Sequence, residues 1–247
     1  MTKLEELDKR SREVFRHLVD AYVETGEPVG SKFLSGRLDT SLSPATIRNE
    51  MADLEAMGLI VQPHTSAGRI PSDLGYRYYV DHLMKARQLT VKEDEVISEG
   101  LKAIHNDVED ALHQTLKVLS HLLEYASLVA TLNNKTRVYS SGFSHMLKQP
   151  EFSDMNFTRQ VIHTMEEEEL MAEMVKEYTT EKGITIRIGS ENSFKEVKNC
   201  SVVMSSYEMK NAAAGGIGVI GPTRMSYSRV ASILENLSRR LDNMMEE

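Results

Sequence analysis

The chain has 247 residues, 40% hydrophobic and 27% charged, with a formal net charge of −8. That length suits two domains, and the balance is that of a globular protein with a real core. One cysteine, Cys200, excludes an internal disulfide framework and a cysteine-built zinc cluster. No run approaches the roughly 20 apolar residues that cross a bilayer, and the charged opening MTKLEELDKRSREVF has no apolar signal core, so a cytoplasmic protein is expected.

The negative total argues at first against a nucleic-acid partner. The charge is unevenly spread, however. Through Leu89 there are 12 Lys and Arg against 13 Asp and Glu, and beyond it 17 against 24. The acidity lies in the second part, and any DNA contact in the first must come from a few placed groups. Fourteen methionines point to adaptable cores. Cys200 sits in the apolar run to Met204 and reads as a buried structural thiol.

Lys3 to Thr25 has helical periodicity, with Leu7, Val14, Phe15, Leu18 and Tyr22 on one face. Thr25-Gly-Glu-Pro28 ends it. A short helix from Ser31 to Arg37 follows, with Phe33, Leu34 and Leu38 apolar, and Asp39 to Leu42 is a turn. Ser43-Pro44 starts a third helix, a serine cap followed by a proline whose missing amide costs nothing there. On that helix Ile47, Met51, Leu54 and Gly58 face inward, while Ala45, Arg48, Asn49 and Ala52 face out. Small residues beside Arg and Asn are what a groove-reading helix requires, because those two side chains match guanine and adenine edges. An ordinary amphipathic helix has the same outline, so this pattern alone leaves both open.

Leu59 to Gln62 reads as a strand, His64 to Gly68 as a turn of small polar residues, and Arg69-Ile70-Pro71 as the return. A hairpin with Arg69 at its tip after a third helix is a winged-helix arrangement, and the tip can reach phosphate or the minor groove. Ser72 is a cap for the helix carrying Tyr76, Tyr78, Tyr79, Val80 and Leu83, whose aromatics are expected to pack inward.

Four blocks, PVGSKFLS, SPATIRNEMADLEAMGLI, HTSAGRIPSDLGYRYYVDHL and, much later, IGVIGPTRMSYSRV, closely resemble the heat-inducible transcription repressors called HrcA. The resemblance implies a cytoplasmic homodimer that binds an inverted-repeat operator in double-stranded DNA upstream of chaperone genes. It also implies release on heat stress and dependence on the GroEL chaperonin. A repressor of this kind would meet base edges with Arg48 and Asn49, take register from Thr46 and the backbone at Ala45, and contact phosphate or the minor groove with Ser31, Lys32, Thr65 and Arg69, with Ser43 and Ser66 also among its DNA-binding residues.

Thr90 to Glu93 has capping-box form. The apolar series Ile97, Leu101, Ile104, Val108, Ala111, Thr115, Val118, Leu122, Tyr125 and Val129 then steps by four and three, a heptad seam. Read as one helix it spans roughly 60 Å at about 1.5 Å per residue. Packing on its own domain and forming a dimer are both open; dimerisation is assigned to Ile97, Leu101, Ile104, Val108, Val118 and Leu122. Family members are usually considerably longer, and the missing piece is expected between Leu132 and Val138, at the polar junction Asn133-Asn-Lys135. It would remove an inserted dimerisation domain and the opening strands of the GAF-like sheet.

Beyond the junction, Val138 to Gly142 reads as a strand or turn, and Phe143 to Leu147 as helical. Further helices are expected at Phe152 to Met165, Glu166 to Lys182 and Ser226 to Met245. Strands are expected at Ile184 to Ile188, Cys200 to Tyr207 and Gly215 to Ile220, and Ser193 to Glu196 has capping-box form. Gly215-Gly-Ile-Gly218 lacks phosphate-loop spacing. The fold class is α+β: a winged helix-turn-helix over residues 1–88, a helical connector over 89–131 and a truncated GAF-like regulatory domain over 132–247. The function expected is a sequence-specific repressor; the alternative is a protein–protein module with vestigial DNA contact. An enzyme is not expected, since the eight histidines form no catalytic or metal-spaced set, and neither a cofactor nor a metal is expected.

Overall fold

The computed structural model describes residues 7–38, 42–102, 108–132, 136–180, 182–209 and 213–244. They form two compact units, Met1–Lys85 and Ala86–Glu247.

The first unit opens with α1 (Lys9–Thr25), whose first turn is capped by the Asp8 carboxylate accepting from the Ser11 amide at 2.7 Å. Then come α2 (Ser31–Ser35), α3 (Pro44–Ala56), β1 (Ile60–Val61), β2 (Ile70–Pro71) and α4 (Asp73–Tyr78), which runs on as a wider turn through Tyr79–Leu83. The apolar positions at helical spacing are the core: Val14, Phe15, Leu18, Leu34, Ile47, Leu54, Leu59 and Tyr76 are all at most 1% exposed. Tyr76 and Tyr78 pack inward as expected, with Tyr78 edge-on to Phe15 at 6.1 Å between ring centres, while Tyr79 is half-buried and its hydroxyl donates to Asp20 at 2.8 Å. The Ser43 and Ser72 caps are both present, accepting from the amides of Thr46 and Gly75 at 3.1 and 3.0 Å. The turn at residues 39–41 and the start of the first predicted helix lie outside the described residues.

The second unit begins with α5 (Val91–Lys102) and α6 (Val108–Leu122), followed by β3 (Ala126–Thr131), β4 (Arg137–Ser141) and α7 (Phe143–Met146). Next are α8 (Met155–Glu166), α9 (Glu168–Tyr178), β5 (Ile184–Ile188), β6 (Cys200–Met209), β7 (Ala213–Pro222) and α10 (Tyr227–Asn243). The strands form one sheet in the order β4-β3-β7-β6-β5, with every neighbour antiparallel. On one face Ala126, Leu128, Ala130, Val202 and Met204 pack with Val161, Met165, Met171, Met174 and Val175 of α8 and α9. On the other, Ser201 and Ser205 of β6 bond to Tyr227 and Ser238 of α10 at 2.7 and 3.0 Å. Val230, Ile233, Leu234, Leu237 and Leu241 of α10 are fully buried, as their spacing predicts.

Two expectations are corrected here. The helix read through to Val129 stops at Leu122, and Ala126–Thr131 is a strand with all six residues buried. A short apolar run buried on both faces carries no period that separates helix from strand, and pairing with β4 and β7 decides it. Two strands, β3 and β4, flank the expected junction and stand in register from Ser127 opposite Ser141 to Thr131 opposite Arg137. Finally, the Ser193 to Glu196 box does not form: the Ser193 hydroxyl donates to the Glu177 carboxylate, and its amide to the Tyr178 hydroxyl at 3.1 Å. The box at Thr90 does form. The Glu93 amide donates to the Thr90 hydroxyl at 3.3 Å, and the Thr90 amide to the Glu93 carboxylate at 2.9 Å.

Candidate nucleic-acid interface

Ile47, Met51 and Leu54 turn α3 inward and are at most 5% exposed. Glu50 shares that side and is 4% exposed. A buried carboxylate needs partners, and it has them on α1: the Ser11 hydroxyl donates at 2.7 Å and Arg10 lies at 2.6 Å. Sequence periodicity gave no sign of this anchor, since an acid on an apolar face looks like an interruption. The opposite side presents Ala45, Arg48, Asn49 and Ala52 to solvent. Among the described residues, neither Arg48 nor Asn49 has a side-chain partner, and Lys32 on α2 has none either. Ser31 is half-buried beside Lys32.

At the start of α3 the Ser43 and Thr46 hydroxyls lie 3.0 Å apart, while the Thr46 amide bonds to Ser43. Both side chains thus secure the helix end that points Ala45, Arg48 and Asn49 outward. β1 and β2 pair antiparallel, Ile60 opposite Pro71 and Val61 opposite Ile70. Thr65 and Ser66 are exposed at the tip of the loop between them. The Gln62 amide group clamps that loop, donating to the carbonyls of Thr65 and Ala67 at 3.0 Å each. Arg69 is not at the tip. It stands on the returning arm, and its guanidinium is held by Glu55 of α3 at 2.9 Å. The structure therefore brings Ser43, Ala45, Thr46, Arg48 and Asn49 onto one helix, puts Thr65 and Ser66 on the wing, and turns Arg69 toward the helix.

The six residues assigned to a dimer are placed differently. Ile97, Leu101, Val118 and Leu122 are at most 8% exposed within the second unit, so their apolar surface is already covered by the chain itself. Val108 is half-buried, and Ile104 lies outside the described residues. Cys200 is fully buried, and burial pushes its thiol up to about 12, so it stays protonated and inert at neutral pH. Among the described residues no helix is long and apolar enough to cross a membrane, and no cluster of three or more His, Cys, Asp or Glu could hold a metal ion.

Residues 6–80 match the model of the winged helix-turn-helix transcription repressor HrcA DNA-binding domain, and residues 77–231 match the HrcA protein C terminal domain. The heat-inducible transcription repressor HrcA of Pelotomaculum thermopropionicum is 30% identical, the match covering 97% of each chain. That of Moorella thermoacetica is also 30% identical, over 98% of each. The first alignment runs to 338 positions against 247 residues here, which leaves at least 91 positions with no residue of this chain. A crystal structure described only as a hypothetical protein shares the fold, with a TM-score of 0.77 at 19% identity over 97% of this chain and 99% of that one. With both family models matched across most of its length, the chain belongs to the HrcA family of heat-inducible transcription repressors.

Proposed function

We propose that this chain represses heat-shock (chaperone) genes in the cytoplasm, binding an inverted-repeat operator as a homodimer and releasing it on heat stress. Residues 1–88 read the DNA, and the rest of the chain pairs the readers and adjusts their hold, with GroEL as a partner that keeps the repressor competent. The observation that carries this reading is the outer face of α3. Arg48 and Asn49 stand there exposed, without side-chain partners among the described residues, on a helix anchored from behind by Glu50. In a major groove they supply the bidentate donors and acceptors that identify guanine and adenine. Ala45 and Ala52 keep the face shallow enough for close approach, and Lys32, Thr65 and Ser66 flank it as backbone contacts.

The test is binding to an inverted-repeat duplex and to a random duplex across a salt series. A DNA reader loses affinity steeply with salt and prefers its operator. Arg48→Ala should cost about 1–3 kcal/mol on the operator and relax base choice. Equal weakening on both duplexes would refute a base-reading role for Arg48.

A further inference from the structure

The wing is a ladder of only two residues a side, Ile60–Val61 against Ile70–Pro71. So short a hairpin does not hold a fixed angle by itself. Its base is tied down by Ser72, whose amide donates to the Leu59 carbonyl at 3.1 Å and whose hydroxyl donates to the Gly58 carbonyl at 2.6 Å; nearer the tip, the contacts meet at Arg69. Its backbone is bridged to the segment before α2: its amide donates to the Val29 carbonyl, and its carbonyl accepts from the Val29 amide, both at 2.9 Å. The approach is so close that a Cβ on Gly68 would lie 2.5 Å from the Val29 carbonyl, which only glycine avoids. The side chain runs to α3, where Nε and one terminal nitrogen both lie 2.9 Å from a single Glu55 oxygen. Their side chains are 22% and 35% exposed, so solvent only partly screens the pair.

We propose that Arg69 is a positioning residue and not a DNA contact, with Glu55 as its working partner: together they form the strut that fixes the wing against the reading helix. This rests on the DNA-reading function above. A guanidinium that turned its Nε edge to phosphate would have to leave Glu55. That would expose an unneutralised carboxylate on the reading helix itself, where it repels the DNA backbone. Gln62 already makes the loop a unit through its two carbonyl contacts, so turning Arg69 swings Thr65 and Ser66 together. The strut thereby sets where two phosphate-contacting residues land relative to Arg48 and Asn49.

The experiment measures binding of the full chain to an inverted-repeat duplex and to a random duplex across a salt series. The variants are Arg69→Gln, Glu55→Gln, both together, Arg69→Lys, and the exchange Glu55→Arg with Arg69→Glu. A strut predicts that each single loss weakens operator binding about tenfold and that the double loss is no worse than either, because coupled residues are not additive. The slope of log affinity against log salt stays that of the wild type. Arg69→Lys does not restore binding, since an ammonium cannot fork onto the carboxylate, whereas the exchanged pair recovers most of it. If Arg69→Gln lowers the salt slope by about one, weakens both duplexes alike, and Glu55→Gln strengthens binding, Arg69 is a phosphate contact and the inference falls. An exchanged pair that folds normally yet binds no better than the single variants also overturns it. A wild-type chain with neither operator preference nor salt dependence overturns the functional reading itself, and this inference with it, before any variant is made.

Discussion

Glu93 is 5% exposed, and its carboxylate accepts from Arg87 at 2.7 Å, Arg229 at 2.9 Å, and the Thr90 amide and hydroxyl at 2.9 and 3.0 Å. Burial pushes its pKa up, but the backbone bond from Thr90 and the two arginines outweigh that and bring it down from 4.5 to about 2. A carboxyl depressed on folding stabilises the fold above its unfolded value and loses that contribution as pH falls toward the folded one. Roughly 2–3 kcal/mol is therefore lost between about pH 4.5 and pH 2. Denaturant midpoints measured from pH 6 to pH 3 should fall in the wild type, and by distinctly less in Glu93→Gln, which starts lower because it leaves two arginines without their counter-charge. At Gly75 the constraint is steric: a Cβ there would lie 1.9 Å from the Leu59 carbonyl oxygen. Gly75→Ala should cost about 1–3 kcal/mol by overpacking, read as a lower denaturant midpoint. The sequence shows the Thr90–Glu93 box because both partners are local. It hides Arg229 and Leu59, which become neighbours only on folding.

At the level of single elements, what could be read depended on whether a signal was local. Ser43-Pro44 marked the start of α3 correctly, because a cap and an N1 proline act within one turn. The outward Arg48 and Asn49 followed from helical spacing and are where it puts them. The sequence misplaces Arg69 at the wing tip because a hairpin's apex cannot be fixed from sequence when any of the five residues from His64 to Gly68 could form it. Ala126–Thr131 extended a heptad by coincidence of period, and only the neighbouring strands make it β3. The cap offers a test of how stability and recognition separate. Ser43→Ala should lower unfolding free energy by about 1 kcal/mol. Ser43→Asp should restore it, since aspartate caps equally well, while weakening DNA binding by placing a negative charge at the DNA-facing end of the helix. Circular dichroism melts and operator titrations of the two variants separate these effects.

For the molecule as a whole, the charge split matters most. On the proposed reading a near-neutral first part must bind through a few placed cations, and an acidic remainder adds no bulk attraction to DNA, which would favour sequence choice. The proposed dimer was the least legible feature. Heptad spacing is satisfied equally by a partner chain and by the chain's own core, and Ile97, Leu101, Val118 and Leu122 are buried in the latter. Sizing by light scattering should find two chains per inverted-repeat duplex, and one chain per duplex would remove the dimer from the reading. The sheet carries one more consequence, for how the protein is made. β3 lies beside β7, Ala126 opposite Ile220, so the centre of the sheet joins residues 94 positions apart in the chain. Such a pairing is slow to find and cannot form until β7 has left the ribosome. The first unit, Met1–Lys85, has a core of its own, built around Phe15, Leu18, Ile47 and Leu54. During synthesis all the winged-helix residues therefore leave the ribosome well before β7 does, and a chain cut short before β7 would carry them without a completed sheet.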